Sequence, residues 1–402
     1  QALILPFYTV NAGKATLLTL INTRDSAKAV RVRFRESRNG AEVMAFNLYL
    51  APLDTWTGAL TAPDAGQDYA QAGPASLSSS DNSCTVPRLP ISGGQTFYDF
   101  AYAGINGTDP GPYELSRTRE GFVEVIELGR IEDVKNFAAA DAIKRSSRGD
   151  PSGCDLLNQA WGPATSPLPQ APWFSLPGLG VLSPDGGLQA SAIVVDVALG
   201  SSFSVPAVAL DGFFVPNVDG APDCRGRPGE NLHMSPGNAS PTLADARSGA
   251  AAIAVAEFHH EGRGQQMVFT GIDAGLKAVS AVLMKRHLDN TFQTSQTPPL
   301  VARSEWVLTF PTKALHLEAT NPAQRLPFRS SYAWNSQATH WPIDQVTGAC
   351  EQLRIDYVNR EGERAEPVTV VEFPTRPGPR SPGLCHVSQV VTLNDPDARQ
   401  IY

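Results

Sequence analysis

The sequence predicts a mostly β protein, built as two β-sandwich-like units with long loops and one or two short helices. Two observations lead to this fold class. Short segments with a strict period of two recur along the chain, which is the pattern of strands that are buried on one face. Glycine and proline, at 34 and 33 residues, are abundant and favour turns and long loops over helices.

The clearest strand pattern lies in residues 3–61. Apolar residues at 30, 32 and 34 alternate with Arg31, Arg33 and Arg35, so the two kinds of side chain point to opposite faces of a strand. The Asn39-Gly40 pair that follows predicts a hairpin turn, because both residues tolerate positive φ. This stretch is therefore expected to form a meander of about five antiparallel strands, with one face buried and the other in water.

The rest of the chain predicts a second β unit and the short helices. A Pro/Gly-rich passage places a loose domain boundary near residue 165, which gives units 1–165 and 166–402. A short helix is predicted near 274–288, after Asp273 as its N-cap. Asp133–Arg145 predicts another short helix, because it starts with acidic residues and ends with basic ones.

Two hairpins are predicted in the second unit. Residues 200–202 separate two apolar runs, and residues 260–264 separate another two. Further predicted strands include a buried one over Gly121–Gly129, one ending at Phe310, an alternating one from Leu353 to Tyr357 and a last one through Val387 and Val391.

The five cysteines predict disulfides and not a metal site. They are far apart and have no CxxC spacing, which argues against zinc binding and thioredoxin-like chemistry. The preferred pairs are Cys350–Cys385, between two C-terminal strands, and Cys84–Cys154, between two loops. Cys224 is then either free or a substitute in one of these pairs. Disulfides form in oxidising compartments, so this pattern favours export.

Net charge and hydropathy exclude some classes of protein and indicate where the protein is located. The net charge of −8 argues against general nucleic-acid binding. The sequence has no run of about 18 apolar residues, so no membrane-spanning helix is predicted. The sequence begins at Gln1, and we interpret this as a mature chain whose signal peptide has been removed; an arbitrary start point is the alternative. The expected location is extracellular or at the cell surface.

The arginine row is the most distinctive surface feature in the sequence. Arg31, Arg33 and Arg35 repel one another unless carboxylates lie opposite them. Either the same sheet supplies these acids across the strands, or an acidic surface of a second copy does. The second alternative makes the three arginines candidates for self-association.

No motif predicts catalysis, and no catalytic or cofactor-binding residue is assigned. His259-His260-Glu261 lacks the second histidine of HExxH, and a polar hairpin tip is the favoured interpretation. A glycoside hydrolase stays a less favoured alternative, because spacing alone cannot select a pair among 40 carboxylates. No cofactor is expected, although loop aspartates leave calcium open; these are Asp64, Asp68, Asp81, Asp219 and Asp223.

Segments over most of the chain carry a family resemblance. They include Phe7-Tyr8-Thr9-Val10, Val32-Arg33-Phe34-Arg35-Glu36, Asn47-Leu48-Tyr49-Leu50, Arg119-Glu120-Gly121-Phe122-Val123-Glu124-Val125, Ala278-Val279-Ser280-Ala281-Val282-Leu283-Met284 and Glu305-Trp306-Val307-Leu308-Thr309-Phe310-Pro311-Thr312-Lys313. In these segments the chain resembles a group of uncharacterised exported β-rich proteins of Gram-negative bacteria. More loosely, its composition is similar to that of surface-layer and surface-filament subunits. The resemblance implies export and brings no catalytic residues.

Together these features predict a secreted or cell-surface structural subunit that self-assembles into a layer or filament. Its main partners would then be copies of itself. The alternative is a carbohydrate-binding or adhesive module for a cell-surface glycan. In that case aromatic side chains in loops would line the site, although such tryptophans are more often core or loop anchors; the candidates are Trp161, Trp173, Trp334 and Trp341.

Overall fold

The computed structural model describes residues 1–63, 72–90, 92–103, 113–147, 149–151, 153–161, 172–175, 178–215, 241–248, 253–260, 263–271, 273–285, 288–291 and 304–317, with short segments from 328 to 401. The predicted fold class is confirmed, because the chain is mostly β and its sheets are largely antiparallel. No helix within these ranges is long and apolar enough to cross a membrane.

Strands dominate the described chain. They are β1 (Ala2–Thr9), β2 (Lys14–Asn22), β3 (Ala27–Glu36), β4 (Glu42–Leu50), β5 (Thr55–Thr61), β6 (Ser76–Ser78), β7 (Cys84–Val86), β8 (Gln95–Thr96), β9 (Glu120–Ile131), β10 (Val181–Leu182), β11 (Leu188–Asp196), β12 (Ser201–Pro206), β13 (Val208–Leu210), β14 (Phe214–Val215), β15 (Arg247–Ser248), β16 (Ile253–His260), β17 (Arg263–Thr270), β18 (Ser304–Thr309), β19 (Arg354–Ile355), β20 (Val368–Thr369), β21 (Ser388–Leu393) and β22 (Gln400–Ile401). The helices are α1 (Ala139–Ile143), α2 (Cys154–Ala160), α3 (Pro172–Ser175), α4 (Ala274–Leu283) and α5 (Lys313–Leu317).

Two packed sheets form the main body. Sheet A has the strand order β13-β1-β9-β3-β4-β7, with β10 also paired to β9, and sheet B has the order β12-β11-β2-β5-β6-β8. Their facing sides enclose the largest apolar cluster, which includes Phe34 and Phe46 from sheet A and Leu18 and Trp56 from sheet B. Each sheet thereby covers the apolar side of the other, as a sandwich requires.

The five N-terminal strands are present, but they do not form a simple meander. Within residues 1–63, β3 and β4 pair through the predicted turn at Gly40, whose φ is +74°. In contrast, β1 and β3 lie in sheet A, whereas β2 and β5 lie in sheet B. The chain changes sheets because each layer needs an opposing apolar face, and this stretch supplies strands to both layers.

The outer side of sheet A is covered, which corrects the expectation that it faces water. Near one end it packs against α1, α2 and the buried Trp173. Near the other end it packs against Leu243, Val279 of α4 and Val387. The sandwich therefore has a third, irregular layer over sheet A, whereas the outer side of sheet B stays open as far as the described residues show.

The sandwich also continues past the predicted boundary at residue 165. Strand β11 pairs with β2 along its whole length, and β13 pairs with β1. Residues 181–210 therefore belong to the same two sheets as the N-terminal strands. Beyond residue 211, the described strands form small separate sheets, among them the predicted hairpin of β16 and β17.

The observed helices agree in part with those predicted from the sequence. Helix α4 begins after Asp273, as predicted, and ends at Leu283. The Asp273 side chain makes an ion pair with Lys277 at 2.8 Å instead of a capping hydrogen bond. Of the predicted helix Asp133–Arg145, only α1 is helical. The predicted hairpin of β11 and β12 is present, with Asp196 opposite Ser201.

Candidate functional site

In the described strands of sheet B, no charged residue points to the open outer side. Successive side chains in β2, β5 and β11 alternate between the core and this side, and strand pairing aligns the outward ones in rows. We call this surface the uncharged face. It consists of Ala15, Leu17, Thr19, Ile21, Thr55, Thr57, Ala59, Thr61, Ser76, Ser78, Thr96, Gln189, Ser191, Ile193, Val195, Ser202, Ser204 and Pro206.

The centre of the uncharged face is apolar, and hydroxyl groups surround it. Leu17 and Ile193 lie directly opposite each other on β2 and β11, and they are 44% and 42% exposed. The outward positions next to this pair are half apolar and half hydroxyl-bearing: Ala15, Ala59 and Val195 against Thr19, Ser191 and Ser204. Covering hydroxyl and apolar groups costs far less free energy than covering unpaired charges, so another uncharged surface can pack here at low electrostatic cost.

Strand β12 forms one edge of sheet B. It pairs with β11 through six consecutive residue pairs, from Pro206 to Ser201. Ser201 to Ser204 and Pro206 are exposed, and only Val205 is buried. Phe203 points towards the sandwich core yet remains 45% exposed, because it lies at the open end of the core.

The predicted arginine row lies on the covered side of sheet A. Arg33 is 2% exposed, and its Nε donates to Glu42 at 2.7 Å while its Nη1 contacts Glu124 at 3.1 Å. Arg35 donates to the other oxygen of Glu124 at 2.7 Å. Arg31 donates to Asn47 at 3.2 Å. The sheet itself thus supplies the opposing acids, which is the first of the two alternatives left open by the sequence.

Burial and pairing shift the pKa values in this row. Burial, together with neighbouring Arg33, lowers the pKa of Arg31. Burial also acts to lower the pKa of Arg33, but the carboxylates of Glu124 and Glu42 outweigh it and raise the pKa. The row is therefore part of the internal ion-pair network of this protein, and self-association through Arg31, Arg33 and Arg35 stays a prediction without a structural argument behind it.

A second buried ion pair holds the turn between β3 and β4. Arg117 contacts both carboxylate oxygens of Glu36, each at 3.1 Å, and both side chains are fully buried. The same carboxylate accepts backbone N–H groups from Arg38, Asn39 and Ala41. Burial acts to raise the pKa of Glu36, but Arg117 and these backbone donors outweigh burial and lower the pKa below its ordinary value.

The disulfide Cys84–Cys154 is present and was one of the two preferred pairs. It joins β7 to α2 beside an aromatic cluster, in which Trp173 is fully buried and stacks on Tyr49. Trp161 is half-buried and donates to the hydroxyl of Tyr49 at 2.7 Å. These two tryptophans are thus anchors of the core. Cys224, Cys350, Cys385, Trp334 and Trp341 lie outside the described residues.

The metal candidates do not converge where the structure describes them. Over those residues, no group of three or more His, Cys, Asp or Glu side chains is placed to hold an ion. Asp81 contacts Ser83 and Arg145, and the other four loop aspartates lie outside the described ranges. His259 and His260 end β16, opposite Gly264 and Arg263, so this segment is a hairpin as predicted.

One polar pair was missed at the sequence level. Ser280 Oγ lies 2.7 Å from Nε2 of His316, and 2.8 Å from the hydroxyl of Thr312. A serine beside a histidine has the atoms of a nucleophile and its base. However, His316 is fully buried and Ser280 is 5% exposed between α4 and α5, so no substrate reaches the hydroxyl. This pair joins two helices.

Comparison with known proteins adds no relative. No protein-family model, no curated protein and no solved structure matches this chain.

Proposed function

We propose that this chain is an exported structural subunit that assembles with copies of itself into a layer or filament, and that the uncharged face is a contact surface. The observation that carries the proposal is that the outward residues of the described sheet B strands include no charge. A second copy is the occupant, because its own face offers the same apolar centre and the same hydroxyl groups.

Charge distribution favours a second copy over an unrelated charged partner. Copies with a net charge of −8 repel each other as whole molecules. The uncharged face is where two copies can approach without burying an unpaired charge or placing like charges together. Two charges at its rim, Lys14 and Asp196, neutralise each other in an ion pair at 3.3 Å.

The size of the face suggests that one such contact is modest. If each of its 18 residues covers about 4.8 Å by about 6.8 Å of the sheet, the flat area is roughly 600 Å². A standard interface buries about 800 Å² on each partner. Assembly would therefore use this face together with at least one other contact on each subunit.

The disulfide supports the exported part of the proposal. Disulfides persist in oxidising compartments and are rare in reducing ones. Cys84–Cys154 links β7 of sheet A to α2 of the third layer, and the two cysteines are 70 residues apart in the sequence. This fits a subunit that works outside the cytosol.

A carbohydrate-binding or adhesive module is the second candidate. The threonine and serine hydroxyls of the uncharged face can donate and accept hydrogen bonds from a neutral glycan. Against it, the face has no aromatic side chain on which a sugar could stack, and Trp161 and Trp173 are engaged in the core. This candidate predicts a monomer that binds a neutral polysaccharide.

The experiment is sedimentation velocity of the wild-type protein over a concentration series, with electron microscopy of the largest species. The test variant is Leu17→Lys, and the matched control is Leu53→Lys. Leu53 is 69% exposed in the turn between β4 and β5, so it receives the same substitution away from the face.

We expect concentration-dependent large species for the wild type and for Leu53→Lys. Leu17→Lys should raise the dissociation constant by about tenfold or more, because each copy brings one unpaired lysine into the contact. A wild-type protein that stays monomeric throughout would overturn the proposal, and so would equal assembly of the two lysine variants.

A further inference from the structure

Strand β12 has hydrogen-bonding groups directed away from its sheet. Ala207 N–H donates to Ala190 O on β11, which fixes the backbone alternation of this segment. Residues 201, 203 and 205 then direct their backbone groups to β11, and residues 202, 204 and 206 direct theirs outward. Pro206 has no N–H, and it occupies an outward position, where a proline costs the ladder nothing.

This edge lacks the features that usually prevent pairing. Protected edges carry charged residues, an internal proline or a bulge. The sequence of β12 is Ser-Ser-Phe-Ser-Val-Pro, with its proline at the last position, and its pairing with β11 runs without a register shift. Among the described strands, none pairs with the outward side of β12.

The geometry points to β12 as the edge at which two copies of the chain join, by antiparallel pairing of β12 with β12 of a second copy. The two-fold axis passes through Phe203. This inference rests on the proposed self-assembly and names a second contact, the one that the modest area of the uncharged face requires.

The local sequence is self-complementary about that axis. A two-fold contact needs the same surface on both partners. Ser202 of one copy faces Ser204 of the other, and the two Phe203 side chains lie opposite each other on the core side. About four main-chain hydrogen bonds form, from the N–H and C=O groups of Ser202 and Ser204 in both copies.

Pairing also completes the burial of the open end of the core. The exposed 45% of Phe203 would be covered by the same side chain of the second copy. The two sheets B would become one continuous sheet, since antiparallel partners share a face. The uncharged faces of the two copies would then form one surface of twice the area, suited to contact with further copies.

The first test removes the outward N–H of Ser204. Ser204→Pro eliminates this donor in both copies, and Ser204→Ala is the matched control, because it loses the same hydroxyl and keeps the N–H. With two of about four hydrogen bonds lost, Ser204→Pro should raise the dissociation constant by about tenfold or more relative to Ser204→Ala. Urea unfolding of both variants checks that each is folded.

The second test is independent of the proline. Opposite residues at this kind of position have Cα atoms about 4.5 Å apart, within the range of a disulfide. Phe203→Cys should therefore cross-link two copies under mild oxidation. Ser201→Cys is the control, since the two copies of residue 201 would be about 14 Å apart along the strands. The wild type gives the background from the existing cysteines.

The outcomes separate this inference from the proposed function. If the wild type forms no assemblies, the proposed function fails and the inference with it. If the wild type assembles, but Ser204→Pro assembles as Ser204→Ala does and Phe203→Cys cross-links no faster than Ser201→Cys, only the β12 contact is overturned. Selective loss with Ser204→Pro, or selective cross-linking at residue 203, supports it; if Ser204→Pro does not fold, the cross-linking comparison decides.

Discussion

Replacing Arg117 by methionine tests the role of the buried ion pair beneath the turn between β3 and β4. The Glu36 carboxylate and the Arg117 guanidinium are fully buried and make two contacts at 3.1 Å. Methionine keeps an apolar side chain of similar length but leaves Glu36 without its cation. Removing one partner of a buried pair typically costs about 3–5 kcal/mol, because the remaining charge is uncompensated. We expect Arg117→Met to lower the free energy of unfolding at pH 7 by about that amount.

The pH dependence of unfolding shows whether the Glu36 carboxylate causes the loss of stability in Arg117→Met. In the wild type the folded pKa of Glu36 lies below its ordinary value of 4.5, so the pair's contribution is present above pH 4.5 and is lost as pH falls through the folded pKa. In Arg117→Met, burial raises the folded pKa above the unfolded one, and the cost of the charged carboxylate is then relieved by protonation at low pH. The difference between wild type and variant should therefore be larger at pH 7 than at pH 4.

The assay is urea unfolding followed by tryptophan fluorescence at both pH values. The double variant Glu36→Gln/Arg117→Met is the control, because it removes the orphaned charge as well. At pH 7 it should be more stable than Arg117→Met by at least about 1 kcal/mol. A loss below about 1 kcal/mol for Arg117→Met, or a loss independent of pH, would refute the reasoning.

Two further predictions concern stability. Replacing Cys84 and Cys154 by alanine opens a loop closed across 70 residues, which should cost about 2–4 kcal/mol in urea unfolding; an unchanged midpoint would show that the loop is held by other contacts. Burial, aided by Arg38, lowers the pKa of His386 to about 4, so the fold favours its neutral form. Below pH 6.5 the unfolded chain therefore binds more protons than the folded one, and the free energy of unfolding should decrease as the pH is lowered from 6.5 towards 4. His386→Gln should make this decrease less steep between pH 6.5 and 5. A slope equal to that of the wild type would contradict the prediction.

The sequence predicted individual strands better than their arrangement. Alternation in residues 30–35 and the turn at Gly40 are local features, and β3 and β4 are present as expected. Which sheet a strand joins depends on distant partners, such as β11 against β2. No local pattern contains that pairing, so the boundary at residue 165 was placed inside the sandwich.

The outer face of sheet A, which the sequence predicts to lie in water, shows the same limit of prediction from local patterns. Arg31, Arg33 and Arg35 read as a solvated row because charged residues rarely lie buried unless they are paired. Glu124 provides that pairing from β9, about 90 residues later in the chain. The acidic residues inside the mostly apolar strand β9 were the available signal, and only the strand register shows which arginines Glu124 pairs with.

The uncharged face can also be recognised only once the strand register is known. Threonine and serine alternate with core residues in β5 and β12, which is visible in the sequence. Each strand alone reads as an ordinary half-buried strand. Only the alignment of Leu17 with Ile193, and of their neighbours in rows, shows that the outward positions of these described strands share a surface without charge.

The most direct test of the account is the salt dependence of self-assembly, measured by sedimentation velocity of the wild type from low salt to about 0.5 M NaCl, where the Debye length falls well below 10 Å. If copies meet through the uncharged face, salt only screens the repulsion between molecules of charge −8, and the assemblies should persist or grow. Assemblies that dissolve as salt rises would indicate an ionic contact, such as arginines against an acidic surface, and would contradict the account.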